Sequence, residues 1–295
     1  MFEVGALLLS LVLTKYIAAQ MKKAGIVGVD VHKLERVEVP EMGGLAIVFT
    51  ITLFALFIVG LEGWIIGVFL LVALVGIIDD LTNLRQSHKV ILTALATFPL
   101  IFHISRESII LGNWEINLGI LTLIIFWIYV VATANLVNML AGFNGLEVGS
   151  SVIIFFFLYL LSHEGWAKSV SLIAFFASLG FLYWNKYPAK VFPGDTGTLS
   201  LGALMGLVAV YQGLEFPLAI MLIPHAIDFI LKLGVKFQGK QLGRTKVLKD
   251  GTLVPPPYLS FLGLIMRVRR VREWELVGIV WVMEVLLGIF ALLIY

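Results

Sequence analysis

The chain contains no cysteine, which excludes disulfides, thiolate metal sites and cysteine nucleophiles. Charge is scarce as well: 14% of residues are Asp, Glu, Lys or Arg against 60% hydrophobic, and the net charge is +2. So small an excess excludes an electrostatic nucleic-acid binder. No internal repeat, low-complexity linker or soluble domain interrupts the 295 residues, so one domain over 1–295 is expected. No basic segment precedes the first apolar run, which reads as a membrane span with an outer N-terminus rather than a cleaved signal. A mean hydropathy of +1.01 completes the picture of a polytopic protein whose solvent is the lipid bilayer.

What is present is apolar and helical. A span needs about 20 apolar residues at 1.5 Å each, which predicts an all-α fold with about ten transmembrane helices. They fall near 2–21, 43–61, 63–79, 90–105, 120–138, 147–163, 167–185, 197–213, 216–235 and 275–295. The fourth is short and carries Pro99, so a re-entrant segment is the alternative there. Loop charge argues for keeping it. With ten spans and both termini outside, 17 Lys and Arg lie in inner loops against 2 outside; without the fourth span the division is 8 against 11. A short outer hairpin is expected over 108–117, turned at Gly112-Asn113, and a short cytoplasmic one over 245–254, turned at Asp250-Gly251. Beyond the triple Pro255-Pro256-Pro257, the basic apolar stretch 258–274 reads as an interfacial helix.

Four polar clusters then stand at the inner face. Asp79 and Asp80 close the third span, with Lys89 nine residues beyond Asp80. Alone, the acid pair reads equally well as a helix stop wetted at the headgroups. Asn135 and Asn138 share a helix face at the end of the fifth span, followed by Asn144, Gly145 and Glu147; such amides commonly serve as caps or interhelical glue. Asp195, in Phe192-Pro193-Gly194-Asp195-Thr196-Gly197, is placed to cap the eighth span. His225 and Asp228 precede Lys240, Arg244 and Lys246. Together, hard oxygen donors and basic groups on one face describe a Mg²⁺-dependent enzyme of phosphoryl groups. A lipid or ion transporter, the competing reading, would spread ionisable groups about the bilayer midplane.

At these motifs, and with Pro40-Glu41-Met42-Gly43-Gly44, the chain resembles the polyprenyl-phosphate N-acetylhexosamine-1-phosphate transferase superfamily over almost its whole length. Asn144-Gly145-Leu146-Glu147 and Gly243-Arg244-Thr245-Lys246 are similar to the archaeal and eukaryotic dolichyl-phosphate branch, which uses UDP-N-acetylglucosamine. A bacterial-type undecaprenyl acceptor or another UDP-sugar is the nearest alternative. The resemblance implies Mg²⁺ (or Mn²⁺) on Asn138 and Asp195, and catalytic roles for Asp79, Asp80, Lys89 and Asp195. It implies substrate contacts from Glu41, Asn135, Asn144, Gly145, Glu147, Arg244 and Lys246. Lys246 stands where that branch has an arginine. Monomer and homodimer both remain open.

Overall fold

The computed structural model describes residues 2–112, 114–235, 243 and 245–295. Its long elements are helical. In chain order they are α1 (Phe2–Lys23), α2 (Gly44–Phe54, continued by a π-helical turn Ala55–Val59), α3 (Gly63–Thr82) and α4 (Gln86–Thr97, continued by a 3₁₀ turn Phe98–Phe102). Then follow α5 (Ile120–Met139), α6 (Leu146–Leu161), α7 (Trp166–Asn185), α8 (Gly194–Gln212), α9 (Glu215–Met221), α10 (Ile223–Gly234), α11 (Phe261–Val268) and α12 (Glu273–Ile294). Every expected span coincides with a helical segment. Five of them (α1, α3, α5, α7 and α12) are long and apolar enough to cross a membrane; α9 and α10, bent by 67° at their junction, make a sixth if they form one span. The α2, α4 and α6 segments are shorter, and α8 is less apolar.

Enclosure explains the last point. α8 is covered by α3, α5 and α2, so its surface meets protein rather than lipid. Small residues let these helices approach closely, as in membrane helix pairs generally. A Cβ on Gly76 of α3 would lie 2.4 Å from the Thr196 Cα, and one on Gly44 of α2 would lie 2.4 Å from the Gly197 Cα. A Cβ on Gly202 would lie 2.6 Å from the Thr133 carbonyl of α5.

Among the described residues, three antiparallel hairpins decorate the bundle. The two expected ones are present: β3 (Ser108–Leu111) with β4 (Trp114–Asn117), and β5 (Lys246–Val247) with β6 (Leu253–Val254). The third was not anticipated: β1 (Val27–Asp30) pairs with β2 (Val37–Pro40) inside what reads as a plain loop. Its period-2 valines, Val27-Gly28-Val29 and Val37-Glu38-Val39, carried the signal. Helix α11 is shorter than the 258–274 stretch. Its Phe261, Leu262 and Met266 are buried in a cluster with Leu140, Phe143 and Leu146, so that face packs on the α5–α6 connection instead of on lipid.

Candidate active site

The site assembles where α3 and α5 end and α4 and α8 begin, on one side of the bundle. α3 turns at Asn83, which has a left-handed φ of 52°. The Asp79 carboxylate closes that turn by accepting the Leu84 amide at 2.7 Å, and its other oxygen lies 2.5 Å from the Lys89 ammonium. Lys89, in the first turn of α4, is buried and also pairs with Asp195. The adjacent Asp80 points elsewhere, as neighbours about 100° apart on a helix must. It accepts the backbone amides of Asp195 (2.6 Å) and Thr196 (3.0 Å) and the Thr196 hydroxyl (2.6 Å). The N-terminus of α8 is thus capped in trans by a carboxylate, which satisfies donors that a helix start leaves orphaned.

Backbone bonds hold the approach to that terminus. The Phe192 amide donates to the Pro40 carbonyl, and the amides of Gly43 and Gly44 donate to the carbonyls of Phe192 and Pro193. Hairpin β1–β2 and the start of α2 therefore fix the Phe192–Asp195 turn. From α5, the Asn138 amide nitrogen donates to Asp195 Oδ1 (2.7 Å) and to the Thr198 hydroxyl (2.8 Å).

These groups wall a cavity of ≈ 650 Å³ lined by Glu41, Asp79, Asp80, Lys89, Asn138 and Asp195. A second lobe of ≈ 350 Å³ shares Glu41, Asn138 and Asp195 and continues to Asn144, Asn185 and Phe192. Asp195 and Asn138, a carboxylate and an amide, line both lobes. They are hard oxygen donors of the kind a Mg²⁺ ion takes while keeping waters and substrate phosphates in its remaining positions, so the residues present fit such an ion.

Asn144 belongs to a brace. Its backbone amide donates to Glu273 (2.8 Å) and its side-chain amide to Asp30 (2.9 Å). The Lys33 ammonium lies 3.0 Å from Asp30 and 2.6 Å from Glu273. Asp30, His32 and Glu273 offer ligand atoms within 4.8 Å of one another, yet the Lys33 ammonium already balances the two carboxylates from within. Burial pushes the Asp30 carboxyl up, but the Asn144 amide and the Lys33 ammonium outweigh it and hold it below the usual value. For Lys33 burial works downward, and Glu273 with Asp30 prevail to raise it.

Of the other expected residues, Glu147 lines the second lobe and accepts the Gly142 amide at 2.8 Å. Gly145 sits at φ 83° as the left-handed residue before α6. Asn135 does not reach either lobe: its amide donates back to the Val131 carbonyl of its own helix at 2.8 Å. Lys246 is exposed on β5 and lines neither lobe; Arg244 and Lys240 lie outside the described residues. Sequence reasoning missed Asp30, Lys33 and Glu273, which are separated by up to 243 positions and show no joint motif. It also missed Lys232, which lines the first cavity and pairs with Asp228 at the i,i+4 spacing of an ion pair.

Comparison with known proteins converges on one family. The model described as Glycosyl transferase family 4 matches residues 62–213. A Saccharolobus solfataricus protein, provisionally named UDP-N-acetylglucosamine–dolichyl-phosphate N-acetylglucosaminephosphotransferase, is 36% identical over 97% of this chain and 93% of its own length. A Sulfolobus acidocaldarius protein with the same provisional name is 33% identical over 96% and 92%. The phospho-N-acetylmuramoyl-pentapeptide-transferase of Prochlorococcus marinus is 29% identical over 89% and 79%.

Proposed function

The chain belongs to glycosyl transferase family 4, the polyprenyl-phosphate N-acetylhexosamine-1-phosphate transferases, and from that membership we propose that it transfers N-acetylglucosamine-1-phosphate from UDP-N-acetylglucosamine to a polyprenyl (dolichyl) phosphate. UMP leaves, and the product would be the first intermediate of lipid-linked oligosaccharide synthesis. The observation that carries this reading is the convergence of Lys89, Asp79, Asp195 and Asn138 on one cavity wall.

An oxygen of the acceptor phosphate attacks the phosphorus that bears the sugar, and the bond bridging the two donor phosphates breaks. Asp195 and the Asn138 amide oxygen would hold Mg²⁺, which when bound neutralises diphosphate charge. Lys89, tied to two carboxylates in the free protein, presents an ammonium to the transferring phosphoryl oxygens, where preorganised charge lowers the barrier most. Asp79, released from part of its ion pair, orients the attacking phosphate or takes its proton. Asp80 keeps α8 in place instead of touching substrate. The second lobe takes the nucleoside: the Asn144 amide nitrogen is engaged by Asp30, which leaves its Oδ1 to accept the imide N–H of uracil. Arg244 and Lys246 belong to the loop that would meet the sugar. The site is assigned to the cytoplasmic face, with ten crossings and both termini outside, because that arrangement places most Lys and Arg inside.

Purified protein given radiolabelled UDP-N-acetylglucosamine and polyprenyl phosphate should yield chloroform-soluble label and UMP in equal amounts, and EDTA should stop it. A panel of UDP-sugars fixes the donor. A chain that releases no UMP from any UDP-N-acetylhexosamine would overturn the assignment.

A further inference from the structure

The last carbonyls of α5 have no partner within their helix, and Asn138 sits in that final turn. The Met139 carbonyl, one residue on, accepts a hydrogen bond from the Lys232 ammonium of α10 at 2.6 Å. Lys232 is in turn paired, one helical turn back, with Asp228 at 2.5 Å. Asp228 is buried, and its other oxygen accepts the Phe261 amide at 3.0 Å. Phe261 opens α11, beyond the β5–β6 hairpin. A cation at a helix C-terminus is favourable, and one held by a buried carboxylate is fixed in direction as well. Lys232 also lines the catalytic cavity.

We propose that Asp228 and Lys232 form a positioning clamp that sets the end of α5, and with it the Asn138 amide, for cation binding, and that ties this turn to the start of α11. The inference rests on the reading of Asn138 and Asp195 as cation ligands. Lys232 is a positioning residue: it acts through the Met139 carbonyl and needs no contact with substrate. Groups that orient a metal ligand from behind typically govern affinity by about 10- to 100-fold.

The test needs no turnover. Mn²⁺ is titrated into the purified full chain in nanodiscs and read by the EPR signal of the free ion, with melting temperature recorded on the same samples. Wild type and Lys232→Arg should bind alike. Lys232→Met and Asp228→Asn should bind about 10- to 100-fold more weakly, and turnover should recover as Mn²⁺ is raised. Asp228→Asn retains an oxygen for the Phe261 amide, so it carries the test alone if Lys232→Met does not fold. Folded Lys232→Met or Asp228→Asn with wild-type Mn²⁺ affinity would overturn the clamp, even in a chain that turns over UDP-N-acetylglucosamine. Weakened Mn²⁺ binding in variants of a chain inert to that donor would uphold the clamp and remove the donor assignment.

Discussion

Asp80 accepts the backbone amide of Asp195 at 2.6 Å, so one member of the acid pair holds the helix that presents another carboxylate to the cavity. Asp80→Ala should therefore act on structure and activity together. Loss of a helix cap costs about 0.5–2 kcal/mol, and turnover should fall further because Asp195 is no longer held. Asp79→Asn keeps the Leu84 hydrogen bond and should lose turnover with little change in melting temperature. Equal thermal effects from the two substitutions would contradict this division.

Lys89 is the cation shared by Asp79 and Asp195. Lys89→Ala should slow turnover by about a hundredfold, the equivalent of roughly 3 kcal/mol in the transition state. Steady-state kinetics on correctly inserted protein measures it; near-normal kcat and donor KM would make Lys89 a topology determinant only.

Close helix approach makes Gly76 a sensitive position. A methyl group there would meet the Thr196 Cα at 2.4 Å and the Asp195 carbonyl at 2.6 Å. Gly76→Ala should cost about 1–3 kcal/mol of stability and lower turnover by displacing the start of α8. Gly67→Ala, on the same helix with nothing within 4 Å, is the control and should leave melting temperature and rate unchanged.

The Asp30–Lys33 brace should show in the pH dependence of unfolding. The Asp30 carboxyl is held below its ordinary value of 3.8, so its contribution is present above 3.8 and lost as pH falls through the folded value. Lys33 is raised above 10.5, so its share is present below 10.5 and lost as pH climbs through the folded value. Melting temperature should thus drop at both extremes and hold in between, and Asp30→Asn should flatten the acid limb and weaken the alkaline one less, since Glu273 still pairs with Lys33. An unchanged acid limb in that variant would exclude Asp30 from the brace.

Sidedness is tested by single cysteines in the natural cysteine-free background. Probes at the exposed Ser87 and Lys249 should react from the cytoplasmic side, and one at Trp114, 76% exposed, from the other. Labelling of Ser87 and Trp114 from one side would remove the fourth crossing.

The grouping of the central residues was legible because they stand in short motifs. Asp79-Asp80, Lys89, Asn138 and Asp195 each fall near a helix end, and the apolar runs mark those ends. Direction within a helix was less legible. Asn135 shares a face with Asn138 by spacing, yet its amide bonds the Val131 carbonyl, because a carbonyl one turn back is always within reach. The Asp30–Lys33–Glu273 brace escaped detection for another reason: its members meet only after the first hairpin and the last helix pack against the same turn.

That last contact makes a wall of the second lobe depend on a distant part of the chain. Glu273 opens the final helix and anchors the backbone of Asn144, nearly half the chain earlier. Until α12 is in place, the second lobe lacks the carboxylate that holds the Asn144 backbone. A change at the first residue of α12 therefore reaches a wall of the second lobe 129 positions away, while Asp79, Asp195 and Asn138 keep their own contacts.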